Sequence, residues 1–288
     1  MEHDEGTFRG VGGLELYTQH WTPDGEPRAI LAIVHGFGEH SGRYLNVVNH
    51  LVPRGYVVYG FDLRGHGRSP GPRGYISSWA DYRTDVKAFL GMIREQHTLS
   101  AGRPLFLMGH SMGGLIALEC ALHHPDGLRG VIASGPILGQ VGVSPLLLTL
   151  SRILSRIWPR FALSTGLDAS AISRDPAVVK AYGEDPLVHS VGTPRLGTEL
   201  EAAVERTMRR AADWQLPLLI LHGGADRLAP AELSRLFFET VNVADKTRIE
   251  YEGGYHEPHN DTIHEQVMAD LEGWLAHHLV PDRDRAPA

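Results

Sequence analysis

The residues of this chain best equipped for chemistry are a serine, an aspartate and a histidine that lie far apart in the sequence. Ser111 sits in Gly109-His110-Ser111-Met112-Gly113, with an apolar run before it and a helical pattern at 115–122 after it. A strand, a sharp turn and a helix around Gly-x-Ser-x-Gly form a nucleophile elbow. The turn is tight enough that the flanking glycines must lack a Cβ, and the serine Oγ is held exposed above the helix N-terminus, which favours developing negative charge. A serine hydroxyl attacks an acyl carbon only with a base beside it, and the base needs an orienting carboxylate. The order expected after an elbow is acid, then histidine. Asp226 follows the apolar run 217–221, and His256 follows the strand-like 247–251. His256 is preferred to His259 because it comes first after the strand and Gly253-Gly254 can set its loop. Asp185, Asp62 and Asp261 are lesser candidates for the acid, Asp62 being expected to tie down its own arginine- and glycine-rich turn. Of the 17 histidines most must be structural, and His66, His110 and His222 are read so. Two backbone N–H groups should hold the oxyanion: Met112, next to the nucleophile, and Phe37, in the loop after the apolar run 29–34.

These residues need a scaffold that brings loops together at one edge. Residues 6–10 and 14–21 read as a hairpin, and 29–34, 56–61, 104–108 and 130–134 as further strands. Helical patterns follow at about 45–54, 79–96 and 115–122. The alternation predicts a doubly wound, mostly parallel sheet, whose ligands bind beyond the C-terminal strand ends. It breaks after Pro136 and resumes at 217–221, with a helix at 231–240, a strand at 247–251 and a closing helix near 264–279. The expected organisation is therefore a core of 1–136 and 213–288 with a helical cap inserted at 137–212. In the cap, Leu146, Leu150, Leu154, Ile157 and Phe161 should share a helix face, with Arg152, Arg156 and Arg160 on another.

Composition narrows the function classes. The chain of 288 residues carries a net charge of −7 without a basic block, so nucleic acid is not an expected partner. The acidic start has no apolar segment of a secretory signal, and no apolar run is long enough to span a bilayer. A soluble cytoplasmic protein is expected, with the tail 281–288 frayed. Cys120 is the single cysteine and reads as a small core residue. His256-Glu257-Pro258-His259 is not a helical zinc motif, because proline opposes the spacing; neither metal nor cofactor is expected.

With these residues placed, the chain resembles the monoacylglycerol lipase and lysophospholipase branch of the α/β-hydrolases over nearly its whole length. Four blocks carry the likeness: His35 to Tyr44, Gly-His-Ser-Met-Gly-Gly, Gly224 to Arg227, and Tyr255-His256. The resemblance implies an α/β-hydrolase fold and hydrolysis of monoacylglycerols through an acyl-enzyme on Ser111. It also implies a polar pocket for the glycerol head group, built from Glu39, Arg43, Tyr182 and His259. Ala229 stands where some members carry a cysteine. The alternatives are a lysophospholipase, a short- or medium-chain carboxylesterase, a thioesterase or an acyltransferase with the same triad. A silent binding protein on this fold is the alternative from another class, and the presence of all three triad residues counts against it. The cap is expected to line an acyl tunnel and to touch membrane or micelle surfaces, its arginines favouring anionic head groups; a cap helix that merely packs on the core is the competing expectation.

Overall fold

The computed structural model describes residues 1–96, 102–139 and 145–279, leaving aside the side chains of 145–148. The expected frayed tail and the side chain of Leu146 lie outside the described residues.

The chain opens with β1 (Glu2–Arg9) and β2 (Glu15–Thr22), an antiparallel pair joined across a turn containing Gly12 and Gly13, both at positive φ. β3 (Ala29–Val34) leads through a 3-10 turn to α1 (Leu45–Leu51), and β4 (Tyr56–Phe61) leads to α2 (Trp79–Gln96). β5 (Leu105–His110) turns sharply into α3 (Met112–His123), and β6 (Gly130–Ser134) follows. The chain then leaves the sheet for α4 (Pro145–Ile157), β7 (Leu163–Ser164), α5 (Pro176–Glu184), β8 (Val191–Gly192) and α6 (Pro194–Arg209). It re-enters with β9 (Leu218–Gly223), α7 (Ala231–Thr240), β10 (Lys246–Tyr251) and α8 (His264–His277).

Eight strands make one sheet in the order β1-β2-β4-β3-β5-β6-β9-β10. It is parallel from β4 to β10, and β1 and β2 pair antiparallel at one edge. Every residue of β3, β4, β5, β6 and β9 is buried, as their unbroken apolar runs require of strands covered on both faces. Alternation along each strand divides the core. Ile30, Ala32 and Val34 pack with residues of α2 and α3, whereas Leu31 and Ile33 pack with residues of α1 and α8. This is the expected α/β-hydrolase sheet, and its topology delivers the ends of β3, β5, β9 and β10 to the same edge.

The inserted segment departs from expectation in detail. β7 and β8 form a two-residue antiparallel ladder with no buried residue, too short to leave a periodic trace. The predicted apolar face of α4 does not extend to its end: Ile157 is 77% exposed. The helix stops there, before Pro159, so Phe161 is not on it. Its buried seam is instead polar, Ser155 donating to Thr198 Oγ1 on α6 at 2.8 Å. Cys120 is buried in α3, and burial pushes its thiol up to about 12, in keeping with an inert core position.

Candidate active site

Ser111 occupies the turn between β5 and α3 with φ 54° and ψ −117°, and among the described residues it is the one non-glycine at positive φ. A Cβ on Gly109 would collide with the carbonyl oxygen of Gly113, and one on Gly113 with those of Val34 and His35, so the turn closes only with glycine at both places. Such a conformation costs on the order of 1–3 kcal/mol. The neighbours hold it: Ser111 N–H donates to Ser134 O at 2.9 Å, and the Ile137 and Leu115 amides each donate to Ser111 O at 3.2 Å.

Asp226 lies in the turn after β9, its carboxylate buried. Oδ1 accepts the N–H groups of Leu228 and Ala229 at 2.8 and 2.9 Å, which leaves Oδ2 for His256 Nδ1–H at 2.7 Å. His222 Nε2 is 3.2 Å from the same Oδ2 and donates to Ala229 O at 2.8 Å, so this imidazole is a neighbour of the acid that its sequence position did not reveal. Burial would raise the Asp226 pKa, but the charge of His256 and the converging hydrogen bonds hold it well below the usual carboxylate value.

His256 Nε2 is 2.8 Å from Ser111 Oγ. With its Nδ1 proton committed to Asp226, Nε2 is left to accept the hydroxyl proton. Burial lowers the imidazole pKa, but Asp226, aided by the charges of Glu257 and Glu39, outweighs it and raises the group above 6.5. The three residues therefore form one continuous hydrogen-bonded line from three separate loops.

The His256 loop is fastened from the inserted segment. His256 N–H donates to Ala171 O at 3.4 Å and Glu257 N–H to Ile172 O at 2.8 Å. Asp261 is a loop anchor, away from the triad line: it accepts Tyr255 N–H at 2.8 Å and pairs with Arg174 Nε at 3.0 Å. Asp62 likewise ties its own turn, accepting Ser41 N–H and Arg68 N–H, both at 2.8 Å, and Asp185 pairs with His40 at 2.8 Å.

Phe37 and Met112 line the same cavity as Ser111. Met112 is the first residue of α3, so its N–H has no acceptor within the helix. The Phe37 loop is set by three hydrogen bonds. Glu39 Oε1 takes Gly36 N–H at 2.6 Å, and His35 Nε2 accepts Leu63 N–H at 2.9 Å while its Nδ1–H donates to Gly36 O at 2.7 Å. The Phe37 ring is wedged edge-on against His66 and His189, at 5.9 and 5.6 Å between centroids.

The four residues expected around a head group lie together, two of them, Arg43 and His259, outside the lining of the spaces beside Ser111. Arg43 bridges Glu39 at 2.8 Å and Glu257 at 2.7 and 2.9 Å, with its guanidinium 4.6 Å from the Tyr182 ring centroid. Glu39, further bonded by Tyr44 OH at 2.8 Å, is buried, yet the Arg43 cation holds it well below the carboxylate range. Glu257 is the member of this network that sequence reasoning missed; an acid next to a histidine carries no distinguishing signal. His259 is fully enclosed, stacked on Tyr44 at 4.9 Å and edge-on to His110 at 4.9 Å, so substrate cannot touch it in this conformation. Glu39, Tyr182 and Glu257 do border space: a side chamber of about 30 Å³ that Ser111 and His256 also line. A much larger cavity of about 560 Å³ also reaches Ser111 and His256, walled by Leu150, Leu154, Leu196, Leu200 and Leu228.

Residues 25–263 match the family described as serine aminopeptidase, S33. The chain belongs to this S33 family. Among S33 relatives, the "Monoacylglycerol lipase" of Mycolicibacterium smegmatis is 36% identical over 96% of this chain and 98% of its own. The crystal structure of Paleococcus ferrophilus monoacylglycerol lipase superposes with a TM-score of 0.82 at 39% identity, covering 92% of this chain and 99% of that one. A soluble variant of monoglyceride lipase from Saccharomyces cerevisiae, solved with a substrate analogue, gives a TM-score of 0.88 at 25% identity, with 98% and 97% covered. The S33 chain is thus an α/β-hydrolase of the serine ester hydrolase type.

Proposed function

We propose that the protein hydrolyses monoacylglycerols to a fatty acid and glycerol. The observation that carries this reading is the contrast between two spaces that meet at Ser111 and His256: a roomy apolar cavity, and a chamber of about 30 Å³ bordered by Glu39, Tyr182 and Glu257. An ester with a long acyl arm and a compact polyol fits that division, and the named relatives support it.

In this reading the acyl arm lies among the leucines, each buried methylene contributing about 0.8 kcal/mol. The ester carbonyl rests over Ser111 Oγ with its oxygen toward the Phe37 and Met112 amides. His256 Nε2 takes the hydroxyl proton as Oγ bonds the carbonyl carbon, and Asp226 stabilises the imidazolium and fixes its tautomer. Each oxyanion donor is worth roughly 3–4 kcal/mol once charge moves onto the oxygen. Collapse breaks the carbon–oxygen bond, and His256 returns the proton to the glycerol oxygen. Water then attacks the acyl-enzyme, giving its proton to His256 and restoring Ser111. An aminopeptidase reading, which the family description raises, would want an uncommitted carboxylate for a substrate ammonium. Glu39 and Glu257 are both tied to Arg43 by short hydrogen bonds, so neither is uncommitted, and the chamber suits a hydroxyl-bearing polyol better than an ammonium.

The segment 137–212 acts as the cap in this reading. Ile153, Ile157 and Trp158 stand exposed beside Arg152 and Arg156, and Leu150 is both half exposed and part of the cavity wall. That surface would rest on lipid and pass substrate inward; among the described residues no helix is long and apolar enough to cross a membrane. The test is a series of glycerol and nitrophenyl esters, lysophospholipids and thioesters with wild type and Ser111→Ala. Monoacylglycerol turnover should fall by about 10⁶ in the variant, together with loss of fluorophosphonate labelling. Preference for lysophospholipid or thioester, or undiminished turnover in the variant, would refute the reading.

A further inference from the structure

α6 carries Gly197 near its start, in a helix that gains nothing locally from it, glycine being a poor helix former. Two usual reasons for a helical glycine do not apply. Its φ is not in the left-handed region, and a Cβ there would have one neighbour within 4 Å, Ser151 Oγ at 3.8 Å, an ordinary contact. Gly109 and Gly113 are forced by backbone; Gly197 is not. What it does face is the large cavity, whose wall it shares with Ser151, Leu154 and Leu200.

The two helices that build this wall are clamped. Ser155 on α4 donates to Thr198 on α6 at 2.8 Å, and Arg152 on α4 holds Glu201 on α6 at 2.6 Å. These two bonds fix the spacing and register of the helices on either side of the slot. The slot is therefore kept open by what is missing from position 197 and small at position 151.

We infer that Gly197, with Ser151 opposite, determines how much acyl chain the cavity admits. A side chain at 197 would project into the volume that the acyl arm occupies, without disturbing the triad or the clamps. This inference rests on the monoacylglycerol reading above.

The experiment measures kcat/KM for monoacylglycerols of short, medium and long chain with wild type, Gly197→Ala, Gly197→Leu and Ser151→Leu. Gly197→Ala should keep nearly the wild-type profile and raise Tm by about 2–4 °C, since a better helix former enters open space. Gly197→Leu should retain short-chain turnover and lose long-chain turnover by a factor of about four for each methylene excluded. Ser151→Leu should shift the profile in the same direction from the facing wall, and it decides the matter if Gly197→Leu does not fold. A folded leucine variant with a long-to-short ratio within twofold of wild type, or an equal loss at all lengths, would overturn the inference. Failure of wild type to hydrolyse any monoacylglycerol would instead sink the functional reading, so the two failures are separable.

Discussion

Replacing Asp226 with asparagine tests the proton line at the atom where tautomer is decided. The carboxylate makes two kinds of bond: Oδ1 accepts two backbone N–H groups, from Leu228 and Ala229, and Oδ2 accepts His256 Nδ1–H. In Asp226→Asn the amide oxygen must stay with the two backbone donors, since turning it away would leave both unpaired. The amide NH₂ is then presented to His256 Nδ1, which becomes an acceptor, and the ring proton moves to Nε2. That nitrogen faces Ser111 Oγ and can no longer take its proton. A wrong-tautomer defect of this type costs about 10⁴ in kcat, or about 5 kcal/mol of transition-state stabilisation. The pH profile carries a second signature. His256 must be neutral to act, and in the native chain Asp226 raises its pKa above 6.5 against the opposing effect of burial, so kcat/KM should climb with pH through a limb above 6.5. In the variant the largest raising charge is gone while burial and the weaker pull of Glu257 and Glu39 remain, so the limb of the residual activity should move to lower pH. Stopped assays on a soluble ester across pH 5–9, with imidazole NMR titration, measure both. A loss under tenfold, or a limb that stays in place, would refute the reasoning.

Other perturbations probe the support. Gly113→Ala drives a Cβ into the carbonyl oxygens of Val34 and His35, and should cost roughly 3 kcal/mol or more, a Tm fall of about 6–12 °C by scanning fluorimetry. Arg43→Met leaves Glu39 and Glu257 buried without their cation, a loss of about 3–5 kcal/mol at neutral pH. With that cation gone, burial works less opposed against the charged form of Glu39 and its folded pKa rises from the native value, so the loss should shrink as pH falls; Tm measured between pH 4 and 8 should show the gap to wild type widening upward. Ile153→Ser with Ile157→Ser should weaken sedimentation with anionic vesicles severalfold while leaving turnover of a soluble ester unchanged.

Much of this site is legible from residue types because local sterics demand them. Only glycines close the turn around Ser111, and only unbroken apolar runs suit strands such as β3 and β5 that are covered on both faces. The order of serine, aspartate and histidine then follows from where the strands end. What is not legible depends on contacts between distant segments. His222 reads as an ordinary strand-end histidine until β9 and its turn place it 3.2 Å from Asp226. Arg43 and His259 have the composition of a ligand shell, yet the pairing of Arg43 with Glu39 and the stacking of His259 on Tyr44 keep them out of the chamber lining. The end of α4 reads as apolar and inward, but its seam against α6 is a hydroxyl pair, and periodicity alone cannot tell which stripe meets a neighbour.

The short stretch from Ala171 to Arg174 lies by position in the segment between β6 and β9, yet its carbonyls and guanidinium brace the loop that carries His256. Exchanging the whole insertion for that of another hydrolase would therefore alter substrate access and also unseat the imidazole. A graft that begins after Pro136 and ends before residue 169 would exchange α4 and the surface around it while leaving this brace intact. New specificities built on this scaffold would meet the same seam: a changed stretch 171–174 would have to change in step with the loop that carries His256.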